Sequence, residues 1–261
     1  MEDRPVAVEI ADASVAYEGL KTGRVEAVRR FSLTVRHNEV VCLVGPSGCG
    51  KTSLLRAVAG LLPLQEGTVD IHAMEGQPPI AVIFQSPSLF PWRTALDNAA
   101  YGVECITKDK KLARQKALGA LELVGLGAQA DYYPSQLSGG MQQRVNVARA
   151  IALEPALLLL DEPFASLDAQ LRERLQAELL RILAATDATA LFVTHQVEEA
   201  VYLADRVAVM QARPGRLRSV IDVDLDKSSS LDVMRSKEFL NVCDRVREQL
   251  GDVPGEMVTH T

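Results

Sequence analysis

The strongest chemical pattern in the sequence is a glycine-rich run that could bind phosphate. It comprises Gly45, Pro46, Ser47, Gly48, Cys49, Gly50, Lys51 and Thr52. The run fits the pattern G-x-x-x-x-G-K-[ST] and lies between an apolar segment, Val40 to Val44, and a predicted helix. Its glycines allow backbone N–H groups to converge on phosphate oxygens, and the helix presents its positive end to the same anion. The run therefore predicts a site for nucleotide phosphates.

Two side chains of this run have expected roles of their own. Lys51 supplies a positive charge at the β- and γ-phosphates, and Thr52 offers a hydroxyl to Mg²⁺. The alternative is an ordinary glycine-rich turn. A chance match in a chain of this length has a probability on the order of one per cent from average composition, which favours the phosphate site.

A second pattern is a run of four leucines followed by two carboxylates, Asp161 and Glu162. The leucines alone indicate only a core strand, and Pro163 predicts an extended Glu162 where the chain enters a loop. Beside a phosphate site, Asp161 is expected to anchor Mg²⁺ through its water shell. Glu162 is expected to position and deprotonate the attacking water. Many phosphate-loop proteins share these features, so the two patterns together predict only a nucleoside triphosphatase.

A third pattern narrows this prediction. The segment from Leu137 to Arg144 reads LSGGMQQR, in which Ser138 suits a helix N-cap and Gly139 and Gly140 leave backbone N–H groups accessible to a second anion. An ordinary helix start is the alternative. Because the segment lies shortly before Asp161, the arrangement resembles the signature of the ABC ATPase family, and the resemblance extends along nearly the whole chain.

The resemblance implies further site residues. In the family, the position of Tyr17 stacks on adenine, that of Gln85 links Mg²⁺ to the partner-contact loop, and that of His195 contacts the γ-phosphate. A strand tyrosine and a structural histidine are the alternatives. Ser53 joins the ATP-binding set and Gln142 the signature that faces the ATP of a second subunit. The loop that touches this subunit matches Ser166, Leu167 and Asp168.

Several stretches resemble importers for nitrate, sulfonate and taurine. These are Ser88 to Trp92, Asn98, Leu160 to Asp168 and Arg213 to Arg216. In the family, the segment with Phe90 and Trp92 lies near a groove for a permease helix, although core packing could equally explain both rings. Two departures are His37-Asn38-Glu39 in place of Pro-Gly-Glu, and Gln196 in place of the Asp after the histidine.

The elements that must position these residues follow from apolar periodicity. Continuous apolar runs predict buried parallel strands at Val40–Val44, Ile80–Phe84, Ala156–Leu160, Ala190–Val193 and Val207–Met210. Helices are predicted between them at Thr52–Ala59, Gln142–Ala152, Ala169–Ala184 and Val197–Leu203. Alternating segments at Val6–Ile10 and Phe31–Val35 suggest an antiparallel sheet. The fold expected is an α/β P-loop NTPase with a RecA-like core, an antiparallel β subdomain and an inserted α-helical subdomain, the ABC ATPase cassette.

We expect two parts along the chain. Residues 1–226 form an ABC transporter ATP-binding domain, with the helical subdomain at about 92–150. Residues 227–261 form a linker and a C-terminal helical tail, because the run DKSSS at Asp226 to Ser230 suggests a linker and Leu231 to Leu250 has helical spacing.

Composition limits the functional classes. The 261 residues include 28 basic and 34 acidic side chains, a net charge of −6, which argues against a broad nucleic-acid surface. The four cysteines form no C-x-x-C pair, so neither a zinc site nor a redox motif is indicated. The charged opening MEDRPVAVEI does not resemble a signal peptide, and no apolar run is long enough to span a bilayer.

The expected function is ATP hydrolysis coupled to import, with ATP and Mg²⁺ as cofactors. The expected partners are a second copy of the chain, integral membrane permease subunits and, indirectly, an extracytoplasmic solute-binding protein, at the cytoplasmic face of a bacterial inner membrane. No nucleic acid is expected. One alternative is a soluble ABC ATPase acting on DNA or ribosomes, although those resemble chains with two cassettes, long coiled coils or zinc-binding cysteines. Another is a catalytically dead binding module, which Glu162, Lys51 and His195 argue against.

Overall fold

The computed structural model describes residues 4–19, 23–75, 77–165, 167–226 and 232–251. The strands are β1 Val6–Gly19, β2 Gly23–Arg36, β3 Val40–Val44, β4 Glu66–Ile71, β5 Ile80–Ile83, β6 Leu157–Asp161, β7 Ala190–Val193, β8 Arg206–Gln211 and β9 Arg216–Asp222. The helices are α1 Lys51–Val58, α2 Ala95–Thr107, α3 Lys110–Leu123, α4 Gly139–Ile151, α5 Ala169–Ala185, α6 Val197–Leu203 and α7 Lys237–Leu250. Short 3-10 helices occupy Gly127–Gln129 and Pro134–Gln136.

The strands form two sheets. The smaller has the order β2-β1-β4, and the larger has the order β5-β6-β7-β3-β8-β9. In the larger sheet β5 pairs with β6 in parallel and β3 pairs with β8 in parallel, whereas β9 runs antiparallel to β8. Every residue of β3, β6 and β7 is buried, which explains why these strands are continuous apolar runs. The predicted α/β fold with parallel strands is confirmed.

The chain divides into two compact units. The first contains the described residues of 1–9, 34–40 and 69–192, and the second those of 10–33, 41–68 and 193–261. Within the first unit, α2 packs against both α3 and α4. Within the second unit, α7 packs against α6, β8 and β9. Helix α7 lies inside the range predicted for the terminal helix.

Polar side chains at their first residues explain where most helices begin. In five helices the N-cap side chain accepts a hydrogen bond from a backbone N–H of the first turn; these caps are Thr94, Asp109, Ser138, Asp168 and Ser236. Each such cap contributes about 1 kcal/mol to helix stability. The N-cap predicted at Ser138 is confirmed, and α4 begins directly after it.

The bounds predicted for the buried parallel strands and for the helices between them agree with the structure to within about three residues. Strands β1 and β2 are much longer than the alternating segments predicted there, α7 begins six residues after the predicted start of the terminal helix, and β4 and β9 were not predicted. Most of the predicted linker, from Lys227 to Ser230, lies outside the described residues, and so does Ser166. In the part of the chain that the structure describes, no helix is both long and apolar enough to cross a bilayer.

Candidate functional site

The glycine-rich run connects β3 to α1 in the second unit, as predicted. The Lys51 side chain folds back over the run, and its Nζ donates to the carbonyl oxygens of Gly45 at 2.7 Å and Pro46 at 3.2 Å. Lys51 is only 6% exposed although it carries a charge. A buried ammonium requires such acceptors, because leaving it unpaired away from water is costly. The run therefore holds a fixed positive charge at the start of a helix.

Two glycines of the run are required by backbone geometry. Gly48 and Gly50 have φ values of 74° and 100°, which favour glycine over residues with a side chain. A Cβ at Gly50 would lie 2.6 Å from the carbonyl oxygen of Ala27 and 2.8 Å from a methyl of Val28. Helix α1 begins after Gly50, which provides no side-chain cap. An anion is therefore a suitable acceptor for the N–H groups of its first turn.

Tyr17 lies beside the helix that follows the run. Its hydroxyl is 2.9 Å from the Ser53 Oγ, while 39% of the residue is exposed. An exposed ring next to a phosphate-binding loop can stack on a nucleobase. The structure thus brings together two of the predicted ATP-binding residues, Tyr17 and Ser53.

His195 lies two residues after the end of β7 and is exposed. The residue before it, Thr194, is buried and donates its N–H to the Leu43 carbonyl of β3 at 3.2 Å. The Thr194 hydroxyl accepts a hydrogen bond from the Gln196 N–H at 3.0 Å. The histidine therefore lies between two residues whose backbones are fixed by hydrogen bonds.

The two acidic residues after the leucine run lie at the end of β6 in the first unit. Asp161 is 7% exposed, whereas Glu162 is half-buried. The prediction of an extended Glu162 was wrong, because its φ is 44° and therefore left-handed. Its carbonyl accepts a hydrogen bond from the Ala165 N–H at 3.2 Å, so the chain turns immediately at the end of the strand. This turn outweighs the preference imposed by Pro163. A left-handed non-glycine residue costs about 1–3 kcal/mol, and such residues cluster at functional sites.

The signature segment begins α4 in the same unit. Ser138 is exposed, and its Oγ accepts a hydrogen bond from the Met141 N–H at 3.3 Å. Gly139 is exposed, and a Cβ there would meet nothing within 4 Å. Gln142 points back and donates to the carbonyls of Pro134 at 3.0 Å and Leu137 at 3.2 Å. The start of α4 is therefore exposed at Ser138 and Gly139, whereas Gly140 is buried, and Gln142 connects the helix to the preceding loop.

Gln85 follows β5 and is exposed, and the chain after it leads to the Phe90 segment. Asn98 is fully buried and holds this segment by four hydrogen bonds: its Oδ1 accepts from the Phe90 N–H at 2.8 Å, and its Nδ2 donates to the carbonyls of Phe90, Arg93 and Thr94 at 3.1, 3.1 and 2.9 Å. Trp92 lies within the loop that is held in this way and is 72% exposed.

Aromatic contacts support this loop. The Phe90 ring lies 5.6 Å from that of Trp92 and 4.8 Å from that of Tyr101, measured between centroids. The Arg93 guanidinium lies 4.7 Å from the centre of the Tyr101 ring. Sequence reasoning left open whether Phe90 or Trp92 faces outward. The structure shows that Trp92 does, with Phe90 packed beneath it.

Arg149 of α4 connects the signature helix to the segment after Gln85. Its guanidinium donates to the carbonyls of Pro87 and Ser88, both at 3.1 Å, and to the Asn146 Oδ1 at 2.6 Å. Burial lowers the pKa of Arg149 below its usual value because the charged form is desolvated. Sequence reasoning did not assign a role to this arginine. Its position ten residues into a helix gave no signal, since two of its three partners are backbone carbonyls distant in sequence.

The donor types expected for Mg²⁺ fit a hard cation, since Thr52, Gln85 and Asp161 supply hydroxyl, carboxamide and carboxylate oxygens. Among the described residues there is no group of three or more His, Cys, Asp or Glu side chains placed to hold a metal. Asp168 serves as the N-cap of α5, with its Oδ1 accepting the Leu171 N–H at 3.0 Å.

Burial raises the pKa of the Cys49 thiol, although the charge of Lys51 opposes this shift. The thiol is 1% exposed and lies 3.9 Å from the Lys51 Nζ. Cys49 is therefore a neutral packing group inside the phosphate loop at neutral pH.

The fold and these motifs define an α/β protein of the P-loop nucleoside triphosphatase class. A model of the family described as "ABC transporter" matches residues 28–165. An uncharacterized ABC transporter ATP-binding protein of Methanocaldococcus jannaschii is 46% identical over 228 residues, which are 84% of this chain and 85% of that protein. The chain therefore belongs to the ABC transporter family, as one of its ATP-binding ATPases.

Two other relatives carry more specific names. The taurine import ATP-binding protein TauB of Rhizobium johnstonii is 37% identical over 92% of this chain and 95% of its own length. The nitrate import ATP-binding protein NrtD of Synechocystis sp. is 37% identical over 93% of this chain and 94% of its own length.

A solved structure supports the assignment of the fold. It is a dimeric ATP-binding cassette in a post-hydrolysis state bound to ADP and Pi, with a TM-score of 0.71 and 26% identity. The match covers 84% of this chain and 100% of that one.

Proposed function

We propose that this chain is the ATP-hydrolysing subunit of an importer and drives solute uptake through a membrane permease. The observation that carries the proposal is the match to import ATP-binding proteins over more than nine-tenths of both lengths, with 92% and 95% coverage for the taurine relative. The match extends past the catalytic motifs along nearly the whole chain, which supports a shared role in import as well as shared chemistry.

The solute class that we propose is a small anion of the nitrate, sulfonate or taurine type, or a related organic solute. Two relatives with similar identity bear different solute names, taurine and nitrate. This is expected where the ATPase does not itself contact the solute, because specificity then lies in the binding protein and permease.

In the proposed reaction, the phosphate loop binds ATP through the backbone of Gly45 to Gly50 and through Lys51, Thr52 and Ser53. The Lys51 ammonium, now held by two carbonyls, exchanges these for phosphate oxygens that carry full negative charge. Tyr17 stacks on the adenine. Binding therefore requires little rearrangement of the loop beyond this lysine.

We propose that Glu162 accepts the proton of the attacking water and that His195 contacts the γ-phosphate. The left-handed backbone of Glu162 fixes where its side chain leaves the end of β6. Thr52 and Gln85 directly, and Asp161 through water, would hold Mg²⁺, which would supply positive charge at the phosphates.

The signature points to a second copy of the chain. Ser138 and Gly139 are exposed at the start of α4, and Gly140 is buried next to them. We propose that this helix start, with the backbone of both glycines, receives a phosphate from outside the chain. We propose a symmetric homodimer with two equivalent ATP sites, in which Asp168 lies at the contact. ATP stabilises this dimer by mass action, and hydrolysis weakens it, which moves the permease.

The proposed permease contact is the loop around Trp92. Trp92 is 72% exposed, and its ring packs on Phe90, which in turn packs on Tyr101. Exposed aromatic residues that are held in this way are typical of the residues that contribute most to protein interfaces. We place the subunit at the cytoplasmic face of a bacterial inner membrane, with no nucleic-acid partner and with a solute-binding protein acting through the permease. We also propose that residues 1–226 form the ATP-binding domain, with its helical subdomain at about 92–150, and 227–261 a linker and helical tail.

Glu162→Gln tests the chemistry. The amide cannot accept the proton, so kcat should fall by about 10²–10⁴-fold. Affinity for ATP, measured by equilibrium binding, should stay within a factor of about two, since the phosphate contacts are unchanged. Parent-level turnover in this variant would show that Glu162 is not the base.

The membrane role is tested by isolating the complex from the source membrane through a tag on this chain. An integral permease should copurify, and one ligand-loaded binding protein should raise the ATPase rate of the complex in proteoliposomes. Trp92→Glu should reduce copurification, because a charge would be desolvated in an apolar contact. Leu61→Glu is the matched control, since Leu61 is 61% exposed elsewhere on the surface. Equal recovery of the permease with both variants argues against the Trp92 contact.

A further inference from the structure

Thr194, the residue between β7 and His195, connects three parts of the second unit. Its N–H donates to the Leu43 carbonyl at 3.2 Å, and its hydroxyl accepts from the Gln196 N–H at 3.0 Å. The same hydroxyl donates to the carboxylate of Glu199 on α6. The backbone of Thr194 is therefore restrained before His195, and its hydroxyl restrains the backbone N–H of Gln196 after His195.

Both members of this contact are buried. Thr194 is 1% exposed and Glu199 is 5% exposed. A carboxylate is costly to bury, and it is retained only where hydrogen bonds offset its desolvation. Its neighbour Glu198, in contrast, is exposed and pairs with Arg247 of α7. The fold thus buries one acidic side chain of α6 at the position that meets the Thr194 hydroxyl.

The backbone of Thr194 is hydrogen-bonded to β3, the strand that leads into the phosphate loop. Leu43 lies in β3, two residues before Gly45, where the glycine-rich run begins. A hydrogen bond from Thr194 to Leu43 therefore fixes the segment of His195 relative to the base of that run. Displacements of about 1 Å in a catalytic group can cost on the order of a hundred-fold in rate, so this restraint bears directly on turnover.

We propose that Thr194 and Glu199 are positioning residues, which hold the His195 backbone so that its imidazole meets the γ-phosphate. This inference rests on the proposed role of His195. Neither residue contacts ATP in this mechanism, and their effect on hydrolysis passes through the histidine. Sequence reasoning selected His195 alone, although Glu199 follows it by only four residues, on α6.

The first test is Thr194→Val, which keeps the side-chain shape and removes the hydroxyl. Its kcat for ATP should fall about ten-fold with a KM change below about two-fold, because positioning acts on turnover more than on binding. Thr194→Ser, which restores a hydroxyl, should recover the parent kcat. Glu199→Gln keeps an acceptor oxygen but loses its charge, so it should lower kcat by about three-fold.

The decisive measurement repeats Thr194→Val and Glu199→Gln in a His195→Ala background. If both act through the histidine, neither should reduce kcat further there. An equal loss in both backgrounds would show that the network acts elsewhere and would overturn the inference while leaving the proposed function intact. An unchanged kcat in His195→Ala alone would instead refute the proposed role of His195, and the inference with it. A parent-level kcat in Thr194→Val also overturns the inference.

Discussion

The phosphate loop and the signature segment both place glycines at the start of a helix, but the space around these glycines and their backbone angles differ. Gly50 has a φ of 100°, and a Cβ there would lie 2.6 Å from the Ala27 carbonyl oxygen. Gly139 has no such restriction, since a Cβ would meet nothing within 4 Å. The chain itself therefore requires Gly50, whereas nothing in the described contacts of the chain requires Gly139.

Their polar side chains differ in the same way. Lys51 is buried and held by carbonyls of its own loop, while Ser138 is exposed and caps α4. A preformed, internally bonded loop suits a ligand bound by one chain alone. An open helix start suits a ligand that a second chain brings. The difference between the two regions thus supports the proposed dimer, and four experiments can test the contrast between a closed phosphate loop and an open signature segment.

The largest effect is expected from Gly50→Ala. A left-handed backbone and an overpacked Cβ together should cost about 2–5 kcal/mol in the free energy of unfolding, with loss of ATP binding. Gly48→Ala is the matched control, since Gly48 is also left-handed but a Cβ there would meet nothing within 4 Å. It should cost about 1–2 kcal/mol. Thermal unfolding and nucleotide binding should be measured for both variants. Equal losses in the two would contradict a clash between the Gly50→Ala Cβ and Ala27.

Ser138→Arg should abolish ATPase activity while ATP binding by the monomer remains within a factor of about two, because the bulky cation obstructs a phosphate brought by the partner. Lys51→Ala should instead weaken ATP binding itself by about ten- to a hundred-fold, because a charged hydrogen bond to the phosphates is lost. The specific activity of the parent should rise with protein concentration until dimers saturate. Constant specific activity in a demonstrated monomer would rule out the composite site.

Gly139→Ala should leave the free energy of unfolding within about 0.5 kcal/mol of the parent, since its Cβ has open space. Its kcat should nevertheless fall about ten-fold, because the added methyl lies where the partner's phosphate approaches. Gly140→Ala serves as the contrast, because a Cβ there would lie 2.9 Å from the Leu171 side chain. That variant should lose about 1 kcal/mol of stability. Unchanged kcat in Gly139→Ala would contradict the proposal that the partner's phosphate approaches Gly139.

The smallest effect concerns thiol reactivity. Cys105 is exposed, whereas Cys49 in the phosphate loop is buried and its pKa is raised by burial. Burial likewise raises the pKa of Cys243 to about 12, so raising the pH from about 7 to about 9 should not form its thiolate. Maleimide should label Cys105 alone in the folded chain, and Cys105→Ser should remove this labelling. Fast labelling of Cys49 would show that the phosphate loop opens in solution and exposes this thiol.

Much of this molecule is determined locally by its sequence. The phosphate loop, the carboxylates after the leucine run and the N-cap at Ser138 were found from residue type and spacing, because each uses neighbouring residues of one segment. The strands that are buried on both faces were found for the same reason. The roles of individual residues in ATP binding and catalysis stay predictions, some drawn from the motifs and others from the resemblance.

Tertiary structure alone decided the rest. Strands β4 and β9 lie at sheet edges and are mostly exposed, so pairing with β1 and β8 forms them and no apolar pattern marks them. The orientation of Trp92 depends on the buried Asn98, and the restraint on His195 depends on Thr194 and Glu199 meeting across a turn. These features arise from hydrogen bonds between separate elements, and the relative position of such elements is fixed only when the chain packs.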